Sequence, residues 1–477
     1  MMNLESVQVM QYQLRLSGSH YQQLKQHLFP GDGKEAVAVA LCGRHERQGL
    51  SMMLVHKLML IPHEACIRTE DNVTWGTEVL LPFLKEASNP KKNMGILKIH
   101  SHPGGYPYFS ETDDAADADL FSSIFGWCET DAVHGSAVML PDGRIFGRAF
   151  TPDLISYPFD KISVAGDEFK IWEHSIGAYT PDDFAVRTAQ AFGDGTYAKL
   201  KRIKAGVVGC SGTGSPTIEQ LVRLGIGQLV LVDPDEVEHK NLNRILNTTR
   251  DDADAKKYKT AVLAERIQAF GLGTEVYPYA ENLYDSINAL DDLISCDVIF
   301  GCVDSVDGRH LLNQLSNFYL IPYFDLGVKL EADGMGGISR IAGTVHYLQP
   351  GASSLLSRGM YTTKMLLDEA LKRQDLDEFN KRLKAGYVHN ANVDRPAVIS
   401  INMQLSSMAV NELLNRLHPF KFEQPRNYAK VSMDYSDGSI CNEAEDELVV
   451  DDYQVKYAGR GDMQPFLGMS DFSTLSK

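Results

Sequence analysis

Short apolar runs separated by polar breaks fill the first third of the chain: EAVAVALCG (35–43), SMMLVHKLMLIP (51–62), GILKIHSHP (95–103), and HGSAVML leading through PDG into GRIFGRAF (134–150). Runs of this length rich in Val, Ile, Leu and Met predict strands, and the PDG predicts the turn joining the last two. With connecting helices between them, they predict an α+β domain over residues 1–155. Periodicity weakens over 156–185, where TPDL and YTPDD have loop or helix-entry chemistry, and a connector is expected there.

From Ile203 the order changes. AGVVG, QLVLVD and CDVIFGCVD read as buried strands, and SPTIEQLVRLG, KTAVLAERIQAFG and RHLLNQLSNFYL as the helices following them. Alternation of this kind predicts a mostly parallel, doubly wound α/β sheet across 186–440. Residues 441–477, the acidic and irregular end, are expected to form a surface tail.

Composition narrows the class. The 477 residues are 44% hydrophobic and 23% charged, ordinary values for folded domains. Sixty-three acidic against 46 basic residues leave a formal charge of −17, which disfavours a nucleic-acid scaffold. Seven cysteines, scattered and without a CxxC pair, do not form a disulfide framework and imply a reducing cytoplasm. The start lacks a basic stretch leading into an apolar one, and MMLVHKLMLIP is broken by His56 and Lys57, so neither a leader nor a membrane span is expected.

Two constellations carry chemistry. His100-Ser101-His102-Pro103 stands at the end of a predicted strand, with Ser110 and Asp113 following. Two histidines separated by one residue point to one face, and Asp113 from the next helical turn supplies a third ligand, leaving a fourth position for water. That is the arrangement of a catalytic zinc site, and hydrolysis there needs a carboxylate to take the water proton. Glu35, which opens an apolar strand, is the candidate; Ser110 is the candidate donor to the oxyanion. The set resembles the JAMM (JAB/MPN) metalloprotease signature over about residues 1–150. The resemblance implies cleavage of a peptide or isopeptide bond after the C-terminal glycine of a ubiquitin-like protein.

In the second half, Gly209-Cys210-Ser211-Gly212-Thr213-Gly214 joins a strand to a helix, a turn that lets backbone amides approach phosphate. Asp233 ends the next strand, about twenty residues on, where ribose hydroxyls are bound. Asn241, Arg244, Lys259 and Asp304 follow in order, and an Arg, Lys and Asp set suits ATP activation of a carboxylate better than hydride transfer. This set resembles the ThiF-type adenylyltransferases, the superfamily of ubiquitin-activating enzymes and sulfur-carrier activators, over about 185–420. The resemblance implies that Gly209, Gly212 and Gly214 cradle the nucleotide, and that Asp233 binds ribose. It further implies that Arg244 and Lys259 contact phosphates, and that Asp304 holds Mg2+. Arg187 matches the arginine such enzymes insert into the partner subunit, so a homodimer is implied, and GYVHNANVDRPAVISINMQLSSMAVNELLNRL (386–417) resembles the family's late strand and helix.

The sequence departs from the pattern at Ser211, where relatives carry glycine, and at Ser354 and Ser357, where bacterial relatives carry a zinc-binding CxxC. A second zinc is therefore not expected. Residues 303–440 contain no cysteine. Three acyl-transfer schemes stay open: adenylation with no covalent enzyme intermediate, a thioester at Cys441, or an oxyester at Ser354 or Ser357.

The resemblances together imply a bifunctional enzyme of a bacterial ubiquitin-like conjugation pathway. A zinc-dependent peptidase matures or deconjugates the carrier, and an ATP-dependent activator adenylates its terminal glycine for a conjugating-enzyme-like partner. Antiphage defence is the setting such cassettes suggest. Processing and activation of a sulfur-carrier protein for cofactor or cysteine biosynthesis is the alternative.

Overall fold

The computed structural model describes residues 10–472 except 48, 129–130, 176–181, 334, 336 and 386–397. The chain divides into two compact units: residues 1–178 with 317–320 and 456–477, and residues 179–316 with 321–455. The first part of the segment 386–417, with its expected late strand, falls outside the described residues.

In the N-terminal unit the elements run β1 (Gln11–Ser17), α1 (Gly18–Leu28), β2 (Val37–Arg47), β3 (Leu50–Leu60), β4 (Cys66–Arg68), β5 (Val73–Trp75), α2 (Leu81–Ala87), β6 (Met94–Ser101), α3 (Glu111–Cys128), β7 (His134–Met139), β8 (Ile145–Phe150), β9 (Ser156–Pro158), β10 (Lys161–Ala165) and β11 (Phe169–Glu173). Nine strands form one mixed sheet in the order β11-β10-β1-β3-β2-β6-β7-β8-β9, and β4 with β5 forms a separate ribbon. β2 and β6 are buried along almost their whole length, one face in each of two apolar clusters. Leu97 and Ile99 of β6 pack with β1 and α1, while Met94 and Ile96 pack with Phe121 and Ile124 of α3.

Two expectations are corrected here. The segment 156–173 is not only a connector: β10 pairs in parallel with β1, and β9 with β8. Nor is the acidic end an irregular tail. Ser439–Glu443 forms a strand of the C-terminal unit, and residues 456–472 count with the N-terminal unit, where Phe466, Leu467 and Phe472 are buried. Asp462 accepts hydrogen bonds from His45 and the Tyr319 hydroxyl there. The acidic residues cluster in 443–452, and that charge run masks the apolar side chains further on that anchor the end.

The C-terminal unit begins with α4 (Val186–Phe192) and α5 (Asp194–Leu200), then β12 (Lys204–Val208), α6 (Gly214–Arg223), β13 (Gln228–Val232), α7 (Arg250–Asp254), α8 (Lys259–Phe270), β14 (Glu275–Tyr279), α9 (Ile287–Ile294), β15 (Val298–Gly301), α10 (Val306–Tyr319), β16 (Tyr323–Ala332) and β17 (Ile338–Leu348). It continues with α11 (Thr363–Gln374), α12 (Leu376–Lys384), α13 (Ile399–Leu417), β18 (Lys430–Asp434), β19 (Ser439–Glu443) and α14 (Asp452–Tyr457). The sheet order is β14-β13-β12-β15-β16-β17-β18-β19. β14 through β16 pair in parallel, and β16 through β19 in antiparallel. Strand order reverses beside β12, between β13 and β15. In open α/β sheets such a switch point opens a crevice at the carboxyl ends of the strands. Among the described residues no helix is long and apolar enough to cross a membrane.

Candidate active sites of the two units

In the N-terminal unit, four of the five expected residues meet at the mouth of β6. His100 Nε2 lies 3.1 Å from His102 Nε2, 2.9 Å from Asp113 Oδ1, and His102 Nε2 lies 3.3 Å from Asp113 Oδ2. Ligand atoms held about 2.0–2.1 Å from zinc at tetrahedral angles sit roughly 3.3 Å apart, so these separations, with the two histidines facing different oxygens of Asp113, are of the size such an ion needs. Glu35 stands to one side, its Oε1 3.9 Å from His102 Nε2. Among the described residues, Glu35, His100 and His102 bring donor atoms within 4.8 Å of one another. Ser110 Oγ donates to Asp113 Oδ2 over 2.8 Å, and accepts from the Asp113 amide over 3.1 Å. This reciprocal cap fixes Asp113 in the first turn of α3 and occupies the hydroxyl expected to serve the oxyanion.

Burial sets the electrostatics. It pushes the Glu35 carboxyl up to about 7, against the pull of His102, which leaves a group able to exchange a proton near neutrality. Burial lowers His100 to about 4, with Lys98 pushing the same way, so the imidazole is neutral, as a metal ligand must be. Burial opposes ionisation of Asp113, but hydrogen bonds from His100 and His102 hold it well below the usual carboxylate range. His102 Nδ1 is paired with the Tyr106 carbonyl at 2.7 Å, which turns Nε2 towards the cluster.

Sequence reasoning missed the supports around this centre. Arg68 of the β4–β5 ribbon donates to the Glu35 carbonyl over 2.7 Å and pairs with Asp32 over 2.9 Å, bracing the backbone at Glu35. Lys98 and Asp117 form a buried pair at 2.7 Å, and Arg148 reaches Asp117 over 2.7 Å. For Lys98 and Asp117 the periodicity carries part of the signal. Lys98 is two residues from His100 on a strand, and Asp117 four from Asp113 on a helix, so each shares its neighbour's face.

In the C-terminal unit a cavity of about 490 Å³ opens at the switch point, lined by Gly209, Gly212, Asp233, Asn241, Arg244, Lys259 and Asp304 among others. Gly209 has φ +89, which favours glycine, and a Cβ at Gly214 would overlap the Gly209 carbonyl oxygen, so the turn and the start of α6 pack backbone on backbone. Gly214 thus shapes the loop rather than lining the cavity. Asp233 accepts from the Cys210 and Asp235 amides over 2.7 and 2.9 Å, and Lys259 Nζ lies 3.3 Å away. Burial raises the Asp233 carboxyl in spite of Lys259. Lys259 also reaches Asp235 at 2.6 Å, a partner the sequence did not single out. Arg309, likewise missed, lines the cavity and is paired with buried Asp325 at 3.4 Å.

The other expected residues lie elsewhere. Arg187 is exposed in the first turn of α4 and does not line the cavity. Ser354, Ser357 and Cys441 are not brought into the cavity lining. Ser354 is buried and donates to Asp451 over 2.5 Å, and Ser357 donates to the Val449 carbonyl over 2.6 Å, while Cys441 is exposed on β19. Both hydroxyls are engaged in fastening 353–358 to 445–451, helped by Arg358 and Glu445 at 2.9 Å. Of the cysteines near the glycine loop, Cys302 lines the cavity, and burial pushes its thiol up to about 12; burial raises Cys210 as well. Neither offers a thiolate near neutrality.

One unit thus brings together imidazoles and carboxylates that could hold a metal ion, and the other has a glycine-turn cavity at a parallel-sheet switch point. The chain belongs to the ThiF family, whose model matches residues 185–443, and its residues 17–140 match the prokaryotic homologues of the JAB domain. It is a JAB–ThiF fusion. Ubiquitin-like modifier-activating enzyme 5 of Drosophila willistoni is 29% identical over 164 residues, which are 32% of this chain and 38% of the relative. The same enzyme of Bombyx mori is 28% identical over 166 residues, 33% of this chain and 40% of the relative. The chain therefore spans about two fifths of the length of these relatives. A crystal structure of E. coli MccB with ATP matches with a TM-score of 0.41 and 18% identity, covering 57% of this chain and 74% of that one.

Proposed function

We propose that the chain is a bifunctional enzyme acting twice on the C-terminal tail of a ubiquitin-like protein: a zinc-dependent peptidase trims or releases it, and an ATP-dependent activator adenylates its terminal glycine. The observation that carries this reading is that one chain holds both the His100, His102, Asp113 and Glu35 cluster and a cavity assembling Asp233, Arg244, Lys259 and Asp304.

In the peptidase, zinc held by His100, His102 and Asp113 supplies Lewis acidity and lowers the pKa of water. Glu35, with its carboxyl near 7, takes the proton of the attacking water and returns it to the leaving amine. Ser110 holds Asp113 in place through their two reciprocal bonds. In the activator, the carboxylate of the terminal glycine attacks the α-phosphorus of ATP. The oxygen bridging to the β-phosphorus leaves with pyrophosphate, and the glycine becomes an acyl-adenylate. Arg244 and Lys259 offset the phosphate charge, Asp233 takes the ribose hydroxyls, and Asp304 holds Mg2+. Arg187 completes the site of a second copy in a homodimer. A conjugating-enzyme-like partner receives the acyl group, in a conjugation system of the kind used in antiphage defence.

Sulfur relay would need an accessible thiol beside the acyl-adenylate, and Cys210 and Cys302, both raised by burial, do not supply one. ATP–pyrophosphate exchange that depends on a Gly-ending carrier tests the activator. Cleavage of a carrier extended beyond that glycine, lost in Glu35→Ala with zinc still bound, tests the peptidase. A chain that catalyses neither overturns the reading.

A further inference from the structure

Helix α3 and strand β6 face each other as two ladders. The buried positions of α3 are Asp113, Asp117, Phe121, Ile124 and Cys128. The β6 face looking at them carries Met94 and Ile96, which join Phe121, Ile124 and Cys128 in one apolar cluster, and then Lys98 and His100. Four residues of helix rise about 6.0 Å and two residues of strand about 6.6 Å, so the rungs stay in step. The last rung is Asp113 with His100 at 2.9 Å, and the one before it is Asp117 with Lys98 at 2.7 Å.

The penultimate rung is ionic where the pattern below it is apolar. Asp117 is fully buried, Lys98 nearly so, and the second Asp117 oxygen accepts from Arg148 on β8 over 2.7 Å. Arg148 also pairs with Asp114 at 2.5 Å and lies over the Phe109 ring at 3.9 Å, so the loop entering α3 is held from the same point. A buried ion cluster adds little net stability over an apolar one of equal volume, but it admits a narrow set of distances and directions. An apolar rung tolerates sliding of the helix along the strand, and sliding would change the separation of Asp113 from the two imidazoles.

We infer that Lys98, Asp117 and Arg148 are positioning residues that set the helix-to-strand register and thereby the affinity and geometry of the metal site. The inference rests on the zinc reading of His100, His102 and Asp113.

The test uses the full-length chain, zinc competition against a chromophoric chelator, and the visible absorption of bound Co2+. The double variant Lys98→Met/Asp117→Leu replaces the pair with apolar side chains. Its zinc affinity is expected to fall about tenfold or more, in the range seen for outer partners of metal ligands, with an altered Co2+ band, while Lys98→Arg retains both. Leu14→Ala, in the apolar cluster on the other face of the sheet, serves as a stability control with its zinc affinity expected to hold. The inference is overturned by a folded double variant with wild-type affinity and spectrum, or by a Leu14→Ala protein whose affinity falls as far. A wild-type chain that takes up no Co2+ overturns the metal reading itself, a result read before any variant is compared.

Discussion

The two centres are built in opposite ways. In the N-terminal unit three candidate ligands come from fourteen consecutive residues, His100 to Asp113, with both imidazoles within 3.3 Å of an Asp113 oxygen and 3.1 Å of each other. In the C-terminal unit the residues lining the cavity are spread from Gly209 to Asn402 and are pooled by the sheet's switch point. A point-like centre depends on register between two elements, whereas a distributed cavity depends on topology and tolerates small shifts of any one wall. The first should fail sharply when a rung moves, and the second should fail only when a charge or the glycine turn is lost.

The largest effects should separate the centres completely. His100→Ala should abolish zinc binding and carrier cleavage and leave carrier-dependent ATP–pyrophosphate exchange near wild type; Asp304→Ala should do the reverse. Paired assays on both variants check this, and loss of both activities in either one would break the comparison. Glu35→Ala should keep zinc and lower the cleavage rate by about 10²–10⁴, the usual contribution of a positioned general base.

Next comes the glycine turn. Gly214→Ala forces a methyl into the Gly209 carbonyl and should destabilise the C-terminal unit by about 1–3 kcal/mol, read by denaturant melts, along with weakened ATP binding. The Gly195 position in α5, which has open space around it and no left-handed backbone, accepts the same methyl without overlap.

How much of this was legible follows the same contrast. His100, His102, Ser110 and Asp113 could be read because strand and helix periodicities alone place them together. Glu35 was reachable because it stands two residues before β2, which pairs with β6; Val37 faces His100 in the register. Arg68, Lys98, Asp117 and Arg148 were not read, because each looks like an ordinary surface charge until the partner strand or helix is known. In the second unit the six elements read from the hydrophobic pattern of 204–319 are present, but α7, β14 and α9 were not read, and Arg309 of α10 meets Asp325 only once β16 is placed in the sheet. The acidic end misled because Phe466, Leu467 and Phe472 are few, yet all are buried.

Acid should strain the N-terminal unit through its histidines. Burial lowers both His20 and His56 to about 4 in the fold, whereas the unfolded chain protonates them near 6.5. The fold therefore has its full stability above about pH 6.5 and loses it progressively as the pH falls towards 4, because only the unfolded state takes up the protons. Thermal melts over that window should show a falling midpoint, with a flatter slope in His56→Gln. A midpoint independent of pH would contradict the neutral assignment.

The smallest effect concerns the clasp between 353–358 and 445–451. Ser354→Ala removes the bond to Asp451 and should cost the C-terminal unit about 1–2 kcal/mol, with pyrophosphate exchange retained. A covalent carrier adduct lost in this variant while adenylation persists would instead assign Ser354 as the acyl acceptor.

The central claim, two centres working on one tail, is tested most directly by giving full-length protein and ATP a ubiquitin-like carrier extended past its terminal glycine and weighing the carrier by mass spectrometry. The account predicts a trimmed, AMP-linked carrier from the wild type. It predicts an intact, unlinked carrier from Glu35→Ala, which regains the AMP link when the carrier is supplied already trimmed. An extended carrier left whole by the wild type, together with a trimmed one that never acquires AMP, would contradict it.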